Sequence, residues 1–193
     1  TRVGALTAPL RDRFGIIEKF EYYTANELAN IVSRSAQLLE NQIDTDAATT
    51  IATSSRGTPR IANRLLKRVR DWAEVYGSGA IRLNEVNQTL IALGIDATGL
   101  DQQDINYLMT IIQKFSGGPV GVDTIAASMS EDSETLEDVI EPFLLQKGYI
   151  DRTSKGRCAT ALAYDYLSIP YQSSGTRSQS AQVNQPTLFK EEL

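Results

Sequence analysis

Residues 56–70 of this chain leave little choice of local structure. Arg56-Gly57-Thr58-Pro59-Arg60 runs directly into Ile61-Ala62-Asn63-Arg64-Leu65-Leu66-Lys67-Arg68-Val69-Arg70. Thr58 stands where helix N-caps are preferred, and Pro59 stands at the first helical position, where its fixed φ suits the helix. Ile61, Leu65 and Val69 then recur down one side of that helix. The segment holds six Arg or Lys and no Asp or Glu. Arg60 is out of place, because a cation in a first turn is disfavoured by roughly 0.3–1 kcal/mol unless an anion joins it. Two readings stay open: a solvated basic helix face, or a phosphate site made by a helix N-terminus and an arginine.

The rest of the chain narrows the chemistry. Its 193 residues suffice for one large or two small domains, and a hydrophobic content of 41% suits a packed core. No apolar run reaches the ~20 residues of a membrane span. The chain starts at Thr1 with no charged-then-apolar leader, so no signal peptide is expected. There is no histidine, which removes His-based acid–base catalysis and His-ligated metals. Cys158 is the only cysteine, so neither an internal disulfide nor a zinc cluster can form, and an intracellular location fits. Net charge is −5, so any nucleic-acid contact must come from local patches.

Helix signals recur along the chain. A short helix is predicted over Leu6–Phe14 and a strand over Ile16–Tyr22. Thr24-Ala25-Asn26-Glu27 is a capping box, opening a helix that carries Leu28, Ile31, Val32 and Leu38. Asp44 or Thr45 caps a second helix through Ser54. The basic helix extends from Pro59 to about Tyr76, and another from Leu83 to Leu93. Residues 95–103 form an expected domain boundary. Beyond it, three helices are expected: around Ile105–Phe115, around Val122–Met129, and from Ser133 to Gly148. Tyr149-Ile150 and Cys158-Ala159-Thr160 read as short strands flanking the polar loop Arg152–Arg157. A last helix is expected over Ala161–Leu167. From about Pro170 the chain is rich in Ser, Gln, Thr and Asn and reads as disordered.

Three helices followed by a β-ribbon is the winged-helix order, whose third helix usually enters the major groove. Here that helix, residues 133–147, carries Glu134, Glu137, Asp138 and Glu141 against Lys147 alone, and phosphates repel it. DNA contact is therefore expected from the wing, through Arg152, Lys155 and Arg157, with Gly156 bringing backbone close to a phosphate. The alternative is a solvated hairpin tip. Arg11 and Arg13 flank Asp12 near the start of the chain, as an arginine donated to a neighbour's phosphate or as a surface ion pair. Tyr22 and Tyr23 stack on a base or lie partly in the core; Trp72 and Cys158 read as packing. No phosphate-loop motif G-x-x-x-x-G-K-[ST] and no strand ending in paired acids is present.

Several blocks together resemble the RuvB family of AAA+ ATPases, motors of Holliday-junction branch migration. They are Thr1-Arg2-Val3-Gly4-Ala5-Leu6-Thr7-Ala8-Pro9-Leu10-Arg11-Asp12-Arg13-Phe14-Gly15-Ile16, Arg56–Leu65, Gly117-Gly118-Pro119-Val120-Gly121 and Thr153-Ser154-Lys155-Gly156-Arg157, and the resemblance runs from residue 1 to about 168. It implies a mainly α fold: the C-terminal end of an AAA+ α/β domain over 1–23, a helical lid over 24–96 and a winged-helix domain over 97–168. Residues 169–193 are the expected disordered tail. Thr1-Arg2 resembles the end of the sensor 1 strand, so the phosphate loop and magnesium-binding acids are expected upstream. Arg13 resembles the arginine finger, with Arg11 second to it. Tyr23 resembles the residue against the adenine, Arg60 resembles sensor 2 on the γ-phosphate, and Arg152 and Arg157 resemble the wing's DNA contacts.

The implied cofactor is ATP with Mg2+, with no metal ligand on this chain. The implied partners are double-stranded DNA and the Holliday junction, RuvA, RuvC and further copies in a homo-hexamer, in the bacterial cytoplasm, in recombination, repair and the SOS response. The intact protein is implied to be an ATP-dependent DNA helicase, and the chain alone is expected to be inactive. The rival readings are a winged-helix transcription regulator, disfavoured by its acidic third helix, a clamp-loader-like AAA+ lid fragment, and an assembly module without activity.

Overall fold

The computed structural model describes residues 21–171 apart from Ser78, together with Pro9, Arg13, Phe14, Ile16 and Glu18. Thr1, Arg11 and most of the helix expected over Leu6–Phe14 lie outside the described residues, as does the tail from residue 172. None of the described positions in the predicted strand Ile16–Tyr22 is in a strand.

Four helices surround the first core. α1 (Ala25–Leu38) starts at the expected capping box: the Thr24 N–H donates to Glu27 Oε2 at 2.8 Å and the Glu27 N–H donates to Thr24 Oγ1 at 3.3 Å. It buries Leu28, Val32 and Ala36. α2 (Thr45–Thr53) buries Ala47, Ala48, Ile51 and Ala52, and its three alanines let α1 approach closely. α3 (Pro59–Tyr76) buries Ala62, Leu65, Leu66, Val69 and Ala73 and turns its cations outward. α4 (Leu83–Ala92) closes the core with Val86 and Leu90.

A second, separate core begins at Leu100. Asp101 caps α5 (Gln102–Met109), which continues as a π-helical turn over Thr110–Lys114. α6 (Val122–Met129) follows. The long helix expected from Ser133 is broken into α7 (Ser133–Thr135), a π-helical turn over Leu136–Ile140 and α8 (Glu141–Gln146). Pro142 gives the reason: it has no N–H for the carbonyl four residues back, and its ring crowds that carbonyl, so the turn before it widens.

β1 (Ile150–Thr153) and β2 (Gly156–Ala159) pair antiparallel, with Arg152 opposite Arg157 and Thr153 opposite Gly156. The polar loop expected between the strands is thus mostly strand, turning through Ser154 and Lys155. Val120 adds a third rung, its N–H donating to Arg157 O at 3.0 Å and its carbonyl accepting from Arg157 N–H at 2.8 Å. α9 (Ala161–Tyr166) ends the domain. Among the described residues no helix is long and apolar enough to cross a membrane.

Candidate functional site

The mouth of α3 is open. Thr58 occupies the N-cap position, but its side chain makes no capping bond and its hydroxyl donates back to Ser55 O at 3.4 Å. Pro59 has no N–H, and the first backbone bond of the helix is from Ala62 N–H to Thr58 O at 3.1 Å. The N–H groups of Arg60 and Ile61 therefore lack intrahelical partners. Arg60 is exposed there, and no carboxylate of a described residue pairs with it. It borders a cleft of about 820 Å³ between the two cores, shared with Tyr22, Arg56, Arg64 and Phe143. Free helix-end donors and a cation that pairs with no described carboxylate, at a cleft whose lining also includes Asp101 and Asp138, suit a phosphate group.

A backbone bond from Tyr23 N–H to Gly57 O at 3.0 Å ties the entering chain to this mouth. Tyr22 and Tyr23 are 50% and 46% exposed, so neither is the core residue that burial statistics favour. Tyr22 lines the cleft and Tyr23 lies next to it in the chain. Arg13 is exposed and does not line the cleft.

The wing is organised by a residue that the sequence does not mark. Glu141, in α8, is fully buried. Its Oε1 accepts from Tyr107 Oη at 2.6 Å and from Arg157 Nε at 2.8 Å; its Oε2 accepts from Arg152 Nε at 2.7 Å and more closely still from Arg152 Nη2. Arg157 Nη2 reaches Glu137 Oε1 at 2.6 Å. Burial alone drives the Glu141 carboxyl upward, but the hydrogen bonds from Arg157, Tyr107 and Arg152 outweigh it and hold the group below the ordinary range. Burial, and then Glu141, push the Tyr107 hydroxyl far above its ordinary value.

Two acids of the third helix, Glu137 and Glu141, are therefore directed at the protein's own wing. Arg157 is only 14% exposed; Arg152 is 45% exposed, and Lys155 is exposed at the turn with no ion pair to a described residue. A Cβ at Gly156 would lie 2.4 Å from Val120 O, so the missing side chain lets the Val120 rung approach.

A second missed residue joins the two cores. Arg56 sits at φ 52, a left-handed conformation that costs a side-chain-bearing residue about 1–2 kcal/mol. Its Nε donates to Gly99 O at 2.9 Å, and its Nη2 donates to Asp101 Oδ2 at 2.9 Å and to Asp104 Oδ2 at 2.5 Å. Burial pushes the Asp104 carboxyl up to about 6, with the Arg56 cation pulling the other way. A Cβ at Gly99 would lie 2.9 Å from Ser54 O, so the backbones pack directly at this junction. Asp96 accepts a hydrogen bond from Tyr166 Oη, closing the other side of the linker.

Four helices around one core, an arginine at an uncapped helix mouth and a winged helix reached through a short linker are the arrangement expected of an AAA+ lid followed by a winged-helix domain. The comparisons give the particular family. The RuvB AAA lid domain matches residues 23–96 and the RuvB C-terminal winged helix domain matches residues 97–168. This chain belongs to the RuvB family. It resembles the Thermotoga maritima RuvB Holliday junction branch migration motor at 46% identity and a TM-score of 0.83, covering 88% of this chain and 57% of that one. Two single-substitution mutants of the same protein match at 46% identity and a TM-score of 0.84, each covering 89% of this chain. This chain thus spans under two thirds of their length: 57% and 58% respectively. A RuvB lid leading straight into a RuvB wing favours neither the transcription-regulator nor the clamp-loader reading.

Proposed function

We propose that this chain forms the lid and winged-helix part of an ATP-driven motor for Holliday-junction branch migration. The observation that carries the reading is Arg60: exposed, unpaired with any described carboxylate, and set among the free N–H groups of α3. ATP with Mg2+ supplies the transferable phosphoryl group when bound. Arg60 then senses the γ-phosphate, Tyr23 lies against the adenine, and Arg13 reaches the nucleotide of a neighbouring subunit. Loss of the γ-phosphate leaves Arg60 without its anion, and the lid is free to rotate. The homo-hexameric ring surrounds double-stranded DNA, RuvA presents the junction and RuvC resolves it, in the bacterial cytoplasm during SOS-linked repair.

In the whole subunit, Arg60→Ala is expected to abolish ATP turnover while the far-ultraviolet spectrum and melting temperature stay unchanged. Normal turnover in that variant removes sensor 2 from position 60.

The wing holds DNA by its backbone. Lys155 and the outward half of Arg152 touch phosphates, and Arg157 stands behind them with Nη1 as its remaining donor. Such contacts carry no base information, as a motor crossing any sequence requires. Lys155→Ala is expected to weaken duplex binding equally across sequences and to reduce the salt slope by about one unit. An unchanged slope moves the DNA contact away from the hairpin tip.

A further inference from the structure

Ser54, Arg56 and Asp96 carry side-chain bonds between the lid and the linker or winged helix, and of these Arg56 alone is a cation, in the loop that leads to Arg60. Arg56 belongs to the lid by sequence, four residues before Arg60, yet every hydrogen bond made by its guanidinium goes to the linker or the winged helix. Asp101 and Asp104 form the capping box of α5: the Asp101 N–H donates to Asp104 Oδ2 at 2.9 Å, and the Asp104 N–H donates to Asp101 Oδ1 at 3.1 Å. The guanidinium therefore seats on two carboxylates already fixed at a helix N-terminus. The Asp104 side chain is 1% exposed, its Oδ1 has no hydrogen-bond partner, and Arg56 is its one cation among the described residues.

The remaining face of Arg56 lies over the Phe143 ring, 4.8 Å from its centroid. Phe143 is two residues beyond Glu141 in α8, and Glu141 holds Arg152 and Arg157 at the base of the wing. One line thus runs from the loop before Arg60, through Arg56 and Phe143, along α8 to Glu141 and the wing arginines. A forked cation bonded through Nε and Nη2 and held over an aromatic ring is fixed at several points, which a lysine ammonium cannot reproduce.

We propose that Arg56 is a positioning residue that fastens the winged helix to the Arg60 loop, so that lid rotation reaches the wing without being absorbed by the linker at residues 95–101. The inference rests on the motor reading for its consequence, but the fastening itself is testable without ATP.

The test uses the full-length protein and the pair Arg56→Gln with Asp104→Asn, which removes the ion pair without stranding a buried charge. Spin labels at Ile91→Cys in α4 and Leu162→Cys in α9, both exposed positions, are placed in a Cys158→Ser background. A narrow distance distribution is expected in the parent with or without nucleotide, and a broad one in the Gln/Asn pair. An equally narrow distribution in the pair overturns the proposal. In the same proteins, base pairs migrated per ATP hydrolysed, a ratio that corrects for any change in the hydrolysis rate itself, are expected to fall by about tenfold, within the usual span of coupling between sites. Arg56→Lys is expected to fall between. Unchanged stoichiometry in the Gln/Asn pair also overturns the proposal. A parent that hydrolyses no ATP defeats the motor reading instead, and the distance distributions still decide the fastening.

Discussion

Arg13→Ala in the whole subunit is expected to slow ATP turnover by about 10³–10⁵, the range that arginine fingers supply in phosphoryl transfer. The physical case is electrostatic. Charge develops on the transferred phosphoryl oxygens, and a guanidinium placed there stabilises the transition state more than the ground state. Arg13 is exposed and does not line the Arg60 cleft. Mixed rings separate this role from one played within a subunit. Arg13→Ala subunits keep their own Arg60, and Arg60→Ala subunits keep their own Arg13. Where an Arg13→Ala subunit receives the finger of an Arg60→Ala neighbour, one complete site forms. Mixing the two inactive proteins is therefore expected to restore a fraction of the turnover. No recovery at any mixing ratio, with rings confirmed by sedimentation, places Arg13 outside the neighbour's site.

What the sequence made legible was local, and what it hid was distant. Thr24-x-x-Glu27 and Pro59 mark helix starts because capping chemistry acts over three or four residues, and both helices begin where those residues place them. Arg60 was legible for the same reason: a cation at a helix mouth conflicts with the local dipole. Arg56 carried no such signal. Its partner Asp104 lies 48 residues away, and as a sequence symbol Arg56 was one of six cations in a basic run. Glu141 was misjudged for a related reason. An acidic third helix reads as one that repels DNA, whereas Glu137 and Glu141 are bound to the chain's own arginines. Pro142 did hold a readable clue, since a proline inside a helical pattern signals a break.

Glu141→Ala is expected to destabilise the winged helix by about 3–5 kcal/mol, the usual cost of removing one partner from a buried ion pair. Two arginines and the Tyr107 hydroxyl lose their acceptor together. Most of the loss falls on Arg157, since solvent screens the half-exposed Arg152. For a domain of this size, a change so large lowers Tm by at least about 12 °C. Because the folded state holds the Glu141 carboxyl below its ordinary value, the native protein binds this proton less readily than the unfolded chain does. The stabilisation from Glu141 is therefore complete at neutral pH, above the unfolded carboxyl's range, and is lost as pH falls through the lower folded value. Urea denaturation repeated from neutral to acid pH reads this directly. The parent loses stability in that acid window, and Glu141→Gln, which keeps the shape but cannot ionise, loses correspondingly less. Parallel curves for the two proteins would mean that Glu141 does not clamp the wing as a charge.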